Sequence, residues 1–255
     1  MLGCIIQARM GSTRLPGKVM KLLDGKNPSI SFTISQLQQS KEIDKIIVAT
    51  TTNKEDDIIV DYLKNSEIDF FRGSSNDVLE RYYECALEYS LSGVLRVTAD
   101  CPLIDPTIVD MGLTIFKNNA YDYVSNTLSR TFPDGNETEI FSFNALKQAN
   151  NEATLPSERE HVTPYFKTHP NLFNMKNFEN VENLSHLRWT MDYEEDLKLI
   201  KLIFKKISKR PILMNDILDL LKNEPNLKKI NSNHFPNEAF QKSLDADKQF
   251  LNSKN

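Results

Sequence analysis

The 255-residue chain lacks paired cysteines, long apolar runs and any excess of positive charge. Its three cysteines, Cys4, Cys85 and Cys101, lie far apart and no C-x-x-C pair occurs, so neither a disulfide framework nor a thiolate zinc site is indicated. No apolar run approaches ~18 residues, so no segment reads as a membrane span. The start, Met1 to Ile6, is cut off by Gln7 and Arg9 and is too short for the apolar core of a secretion signal. A protein of a reducing cytoplasm is expected. With 26% charged residues and a net charge of −4, general nucleic-acid binding is disfavoured, and local basic clusters carry more weight. The histidines, His161, His169, His186 and His234, have no metal-ligand spacing. A Walker A loop is absent because Val19 follows Lys18, and the dinucleotide pattern G-x-G-x-x-G does not occur. The only D-x-D, Asp245-Ala246-Asp247, falls in a polar tail, where a solvated run is expected.

What is present is a cationic loop. Ala8 to Lys18 reads A-R-M-G-S-T-R-L-P-G-K, directly after the apolar run Cys4-Ile5-Ile6. Arg9, Arg14 and Lys18 supply permanent charge, Gly11, Pro16 and Gly17 keep the segment from being a helix, and Ser12 and Thr13 add hydroxyls. Two readings fit: a solvated basic loop, or a polyphosphate cradle in which backbone N–H groups turn inward and arginine forks meet phosphate oxygens.

The order of elements indicates an α/β fold. Strands are expected at Cys4–Ile6, Ile46–Thr50, Asp69–Phe71 and Val94–Thr98, alternating with helices at Ser29–Ser40, Lys54–Asn65 (capped by Asn53) and Asp77–Leu91 (ended by Gly93). This alternation predicts a mostly parallel sheet with helices on both faces. In such sheets ligands sit at the carboxyl ends of strands, which brings together the loops Arg9–Lys18, Thr50–Asn53, Arg72–Asp77 and Asp100–Asp105. In the last loop, Asp105-Pro106 starts a helix over Pro106–Asn119, with Asp105 as its cap. Asp100, at the strand end, fits either an Asx-type turn or a hard oxygen ligand for Mg²⁺ beside bound phosphates.

Further on, strands are expected at Tyr121–Val124 and Thr138–Phe141, a helix at Ser142–Asn151, and a capping box at Ser157-Glu158-Arg159-Glu160. Residues 121–185 read as a small insertion covering the sheet edge. Leu187–Met191 then reads as a returning strand, followed by a helix from Tyr193 to Ile207 that Asp192 and Glu195 could cap. Residues 1–210 form the expected α/β domain, and 211–255 a helical and polar extension that packs on it, pairs with a second subunit in a homodimer, or frays.

These residues give the chain its resemblance. I-I-Q-A-R-M-G-S-T-R-L-P-G-K from Ile5, A-T-T-T-N from Ala49, F-R-G-S-x-x-D-V-L-x-R-Y from Phe71, D-C-P-L-I-D-P from Asp100, S-E-R-E-H-V-T-P-Y from Ser157 and L-S-H-L-R-W-T-x-D from Leu184 occur in order. The chain resembles the SpsF-type spore coat polysaccharide biosynthesis proteins, relatives of the CMP-KDO and CMP-sialate synthetases, from Ile5 to about Leu244. The resemblance implies a nucleotidyltransferase on a GT-A-like fold that uses CTP and Mg²⁺ to activate a sugar or sugar acid for surface polysaccharide, with release of pyrophosphate. It places Arg9, Ser12, Arg14 and Lys18 on the CTP phosphates, and Ala49, Thr50, Arg72 and Asp77 near the cytosine and ribose. Ala8, Gly11 and Thr98 complete the expected nucleotide contacts. Asp100 and Asp192 match the metal-binding aspartates, and with Arg14 and Lys18 form the expected catalytic set. Glu137, Glu139, Arg159, His161 and Arg188 are the expected acceptor contacts, with Arg188 and Arg159 as alternative partners for an acceptor carboxylate. Two departures stand out: Ala99 where relatives carry glycine, and Glu137, a methylene longer than the aspartate usual there. Cys101 beside Asp100 reads as packing rather than as a nucleophile. The rival readings are a GT-A glycosyltransferase, a nucleotide-binding protein without activity, and a cytidylyltransferase acting on a phosphonate or sugar phosphate.

Overall fold

The computed structural model describes residues 1–234 and 238–253. Seven strands, β1 (Leu2–Gln7), β2 (Lys45–Thr51), β3 (Asp69–Gly73), β4 (Gly93–Thr98), β5 (Tyr123–Ser125), β6 (Glu139–Ser142) and β7 (Met175–Asn177), form one sheet in the order β3-β2-β1-β4-β6-β5-β7. Only β6 runs against its neighbours; the other pairs are parallel. The helices are α1 (Ser29–Leu37), α2 (Asp57–Asn65), α3 (Val78–Glu88), α4 (Pro106–Lys117), α5 (Phe143–Glu152), α6 (Pro156–His161), α7 (Pro164–Thr168), α8 (Glu194–Lys206), α9 (Met214–Asn223) and α10 (Glu238–Ser253).

Both faces of the sheet are covered, which is why its inner strands are apolar throughout rather than alternating. Cys4, Ile6, Val48, Leu95 and Val97 pack with residues of α1, α2, α4, α8 and α9. Their chain neighbours Ile5, Ile47 and Val94 point the other way and pack with residues of α3, α5 and α7. The fold class expected from the alternation is the one found.

Several local expectations are corrected. Leu187–Met191 does not join the sheet. It is tied instead to the turn at Pro133–Gly135, where the Asp134 amide donates to the Leu187 carbonyl (2.9 Å) and the Trp189 amide to the Asp134 carbonyl (2.9 Å). The outer edge is β7, a short polar triplet without the apolar alternation that marks a strand. Residues 121–185 therefore extend the sheet rather than cover its edge. Asn53 does not cap through its side chain; its own amide is held by Thr51 Oγ1 (3.1 Å), and a 3₁₀ turn at Lys54–Asp56 precedes α2. Gly93 does not end α3 but opens β4, the left-handed position after α3 being Ser90 (φ 52°). Helix α6 is capped two residues earlier than expected, at Leu155 rather than Ser157, with Glu158 accepting from the amides of Thr154 and Leu155 at 3.1 Å each. At α8 the cap is Asp196, which accepts from the amides of Asp192 (3.0 Å) and Tyr193 (3.1 Å), so Asp192 is free of that work. In the tail, α10 packs on α6. Asp247 is buried, accepting from the Ser157 amide at 2.8 Å, rather than part of a solvated run.

One charge inside the sheet needs compensation. Arg96 on β4 lies opposite Glu139 on β6, and its Nη1 donates to Glu139 Oε2 at 2.7 Å. Glu139 Oε1 also accepts from Tyr123 (2.7 Å), Thr163 (2.8 Å) and Lys167 (3.0 Å). Burial opposes the charge on Glu139, but Lys167 and Arg96 outweigh it and hold the carboxyl well below its usual range. A depressed carboxyl contributes its full stability above the unfolded value, about 4.3, and loses it as pH falls. Glu139→Gln is therefore expected to destabilise the protein at pH 7 by about 3–5 kcal/mol and to flatten the acid limb of the stability curve below about pH 4.3. Urea unfolding of both proteins from pH 7 to 3 checks this, and an unchanged acid limb would refute it.

Candidate active site

The loop after β1 is pinned from below. Asp56, fully buried, accepts from the Met10 amide at 2.6 Å and from the Thr51 hydroxyl. Gly17 (φ 64°) makes the left-handed turn that lets its amide reach the Met10 carbonyl at 3.2 Å, and Lys18 then opens a 3₁₀ turn. Ser12 is spent inside the loop, accepting from the Leu15 amide at 3.3 Å. Among the described residues, the amides of Gly11, Thr13 and Arg14 donate to no protein group.

Cations and carboxylates meet at the loop's far end. Lys18 Nζ donates to Asp100 and, at 2.8 Å, to Asp192 Oδ1. Arg14 Nη2 stands 2.7 Å from the same Asp192 oxygen, and Arg188 Nη2 donates to the other at 2.9 Å. Burial weighs against the charge on both partners. The ion pairing wins, raising Lys18 above the usual lysine range and holding Asp192 well below the carboxylate range. Arg188 also binds Asp134 and, through Nε at 3.1 Å, Asp196. The cap of α8 thus fixes the arginine that orients Asp192. Asp100 lies two residues past the end of β4, where the Met191 amide donates to its carbonyl at 2.8 Å and joins the two aspartate-bearing loops. Cys101 is buried beside Thr98 and Thr190, and burial pushes its thiol well up, as packing requires and a nucleophile does not.

These groups line a cavity of about 640 Å³. Of the residues expected from sequence, Ala8, Arg9, Gly11, Ser12, Arg14 and Lys18 line it from the first loop. Thr98, Asp100 and Asp192 line it at the sheet edge, and Glu137, His161 and Arg188 from later segments. Six others stand outside the lining. Ala49 and Thr50 are buried in β2. Arg72 is occupied by the Thr51 and Asn53 carbonyls (2.9 and 3.0 Å) and by Asp57 (2.7 Å). Asp77 caps α3 and binds Arg159 Nε at 2.7 Å. Arg159 completes its contacts on Asn150, and Glu139 serves the buried cluster on β6. These six lie outside the cavity lining, in the packing and pairing described.

Other lining residues escaped the sequence reading: Gln7, Arg81, Arg96, Arg130, Asp134 and Ser243 among them. Two had a signal. Arg96 is a charge inside the apolar run of β4, and Arg81 shares a helix face with Val78, Tyr82 and Cys85. Ser243, which meets His161 Nε2 at 2.8 Å, had none, because only the packing of α10 brings it there.

The family model described as "Cytidylyltransferase" matches residues 3–230. The chain belongs to the cytidylyltransferase family. It is 32% identical over 229 residues to the spore coat polysaccharide biosynthesis protein SpsF of Bacillus subtilis, covering 87% of this chain and 94% of the relative. It is 26% identical over 221 residues to 3-deoxy-manno-octulosonate cytidylyltransferase 2 of Hydrogenovibrio crunogenus, covering 77% and 88%. A solved cytidylyltransferase structure from Leptospira borgpetersenii superposes with a TM-score of 0.85 at 33% identity, covering 89% of this chain and 96% of that one. The protein is thus a nucleotidyltransferase by family and by fold. Helix α10 lies beyond the residues matched to the family, although Ser243 and Ala246 on it line this enzyme's cavity.

In this cytidylyltransferase Asp56 holds the start of the loop, and the ion pairs of Arg14 and Lys18 hold its far end. Asp56→Ala leaves the Met10 amide and Thr51 hydroxyl without their acceptor. It is expected to lower stability by about 1–3 kcal/mol, read as a lower urea midpoint with an unchanged slope. A midpoint equal to that of the parent would refute this.

Proposed function

We propose that this enzyme transfers the cytidylyl group of CTP to a hydroxyl of a sugar or sugar acid, releasing pyrophosphate and yielding a CMP-activated sugar for surface polysaccharide. The observation that carries the reading is the convergence of Arg14, Lys18 and Arg188 on Asp100 and Asp192 at the carboxyl edge of the sheet. The kinship with SpsF and with a 3-deoxy-manno-octulosonate enzyme supports an acidic sugar as acceptor.

The donor set fits Mg²⁺. A single ammonium touches both Asp100 and Asp192, so their oxygens already face one cationic point. Among the described residues no cluster of three or more His, Cys, Asp or Glu could hold a metal ion. A two-carboxylate site completed by substrate phosphates is the usual manner of binding Mg²⁺. Held there, the ion would supply charge stabilisation at the α-phosphate.

The remaining work belongs to the chain. The acceptor oxygen forms a bond to the α-phosphorus, the bond from that phosphorus to the bridging oxygen breaks, the hydroxyl proton is released, and pyrophosphate departs. Charge grows on the leaving group, where Arg14 and Lys18 offer fixed positive charge and the free amides of the loop offer donors. Arg188 holds Asp192 in place, while Asp134 and Asp196 hold Arg188. No protein nucleophile is required.

The test is pyrophosphate release from CTP with 3-deoxy-manno-octulosonate and related acidic sugars. Turnover is expected with CTP above UTP, ATP and GTP, lost on chelation by EDTA and restored by Mg²⁺. Turnover that EDTA leaves intact would remove the metal assignment, and binding of a nucleoside-diphosphate sugar in preference to CTP would remove the reaction. Asp100→Ala, with the fold retained, is expected to lower kcat by about 10²–10³-fold. Near-normal turnover in that variant would refute its role.

A further inference from the structure

Six arginines line the cavity, and five of them have an acidic partner. Arg9 stands 3.6 Å from Glu160, Arg14 2.7 Å from Asp192, Arg96 2.7 Å from Glu139, Arg130 3.2 Å from Glu137, and Arg188 2.9 Å from Asp192. Arg81 has none among the described residues. It is 1% exposed, its Nη1 donates to the Ser74 carbonyl at 2.5 Å, and its Nε has no partner. Asp56 and Asp77 act on it only from a distance, and a buried guanidinium without a direct ion pair is costly. A purely structural tie to one carbonyl would not require a charge. The chain also keeps room for it: a Cβ at Gly73 would come within 3.0 Å of Arg81 Cγ.

The neighbouring wall repeats the pattern. Gln7 and Arg96 line the same cavity from β1 and β4, and the strand alternation turns them to the face that carries α3. Gln7 Oε1 and Arg96 Nε, like Arg81 Nε, are buried without a partner. Eight buried side-chain polar atoms among the described residues lack partners, and three fall on this one wall. Burial first, and then the charge of Arg96, hold the His161 ring below its usual value. The two guanidinium Nε–H groups are donors of the kind an oxyanion takes up when it binds, and Gln7 Oε1 is an acceptor beside them.

We infer that Arg81 is the counter-charge for an anionic group of the acceptor, a carboxylate or a phosphate, bound on the wall of Gln7, Arg96 and Thr98. The inference rests on the cytidylyl-transfer reading, which gives the triphosphate its own cations at Arg14 and Lys18. It also replaces the two arginines that the sequence offered for this role, since Arg188 and Arg159 are both consumed by protein partners.

Calorimetry on the full-length protein separates the outcomes. CTP is titrated into wild type, Arg81→Gln and Arg81→Lys without added metal. Each CTP-saturated protein is then titrated with 3-deoxy-manno-octulosonate and, separately, with inorganic phosphate. The wild type is expected to bind one of the two probes. Arg81→Gln should weaken that probe about a hundredfold and Arg81→Lys about tenfold, because a charged, two-pronged contact is lost in steps, with CTP affinity unchanged. Arg81→Lys keeps the charge and carries the test if Arg81→Gln does not fold. A probe affinity equal to wild type in the variants overturns the inference. So does refusal of both probes by the wild type, or a loss of CTP affinity in step with the probe, which would put Arg81 on the nucleotide. Failure of wild type to bind CTP at all would remove the cytidylyl-transfer reading instead. The probe titrations, repeated without CTP, would then judge Arg81 as an anion site by themselves.

Discussion

Asp192 is the point on which the site depends. Three cations reach it from segments far apart in the chain: Lys18 and Arg14 from the loop after β1, and Arg188 from the segment before α8. Each of those contacts spans a partly buried region, so the attraction is stronger than it would be in water and the cost of losing one partner is correspondingly greater. The ring of charge ties the first loop to the edge of the sheet at Asp100. It also explains why Asp196, which does not itself line the cavity, is fully buried at the start of α8: it holds Arg188, and through Arg188 it holds Asp192.

A second constraint lies inside the sheet. Arg96 is a charge within the apolar run of β4; it enters the α3 side and is matched by Glu139 on the one antiparallel strand. Lys167 also reaches Glu139, so this cluster carries a net positive charge toward the cavity rather than cancelling to zero. The same carboxylate anchors Tyr123 and Thr163 and thereby joins β5 and the segment after α6 to the sheet. Stability and site chemistry share residues here, which is why Glu139 lies outside the cavity lining while its partner Arg96 lies within it.

The cavity therefore has two chemical ends. One has cations already balanced by aspartates, suited to a ligand that brings phosphates and a divalent ion together. The other has two guanidinium Nε–H groups without partners and an arginine, Arg81, without a direct ion pair among the described residues. Helix α10 closes part of this second end through Ser243 and Ala246, so residues beyond the family match shape the space an acceptor meets.

The sequence by itself determined the strand–helix alternation and the fold class that follows from it. It also determined the cationic loop and the positions of Asp100 and Asp192, because apolar runs, glycines and fixed charges act locally. Asp105 as the cap of α4 was legible for the same reason. Only the tertiary structure decided how the charges pair. Arg188 and Arg159, equal candidates on paper, are consumed by Asp134, Asp192 and Asp196 in one case and by Asp77 and Asn150 in the other. Arg81 forms no ion pair among the described residues and donates to the Ser74 carbonyl. Ion pairing depends on which side chains meet across the folded chain. Neither β7, too short and polar to show a period, nor the contact between His161 and Ser243, made by packing of α10, leaves a mark in local sequence.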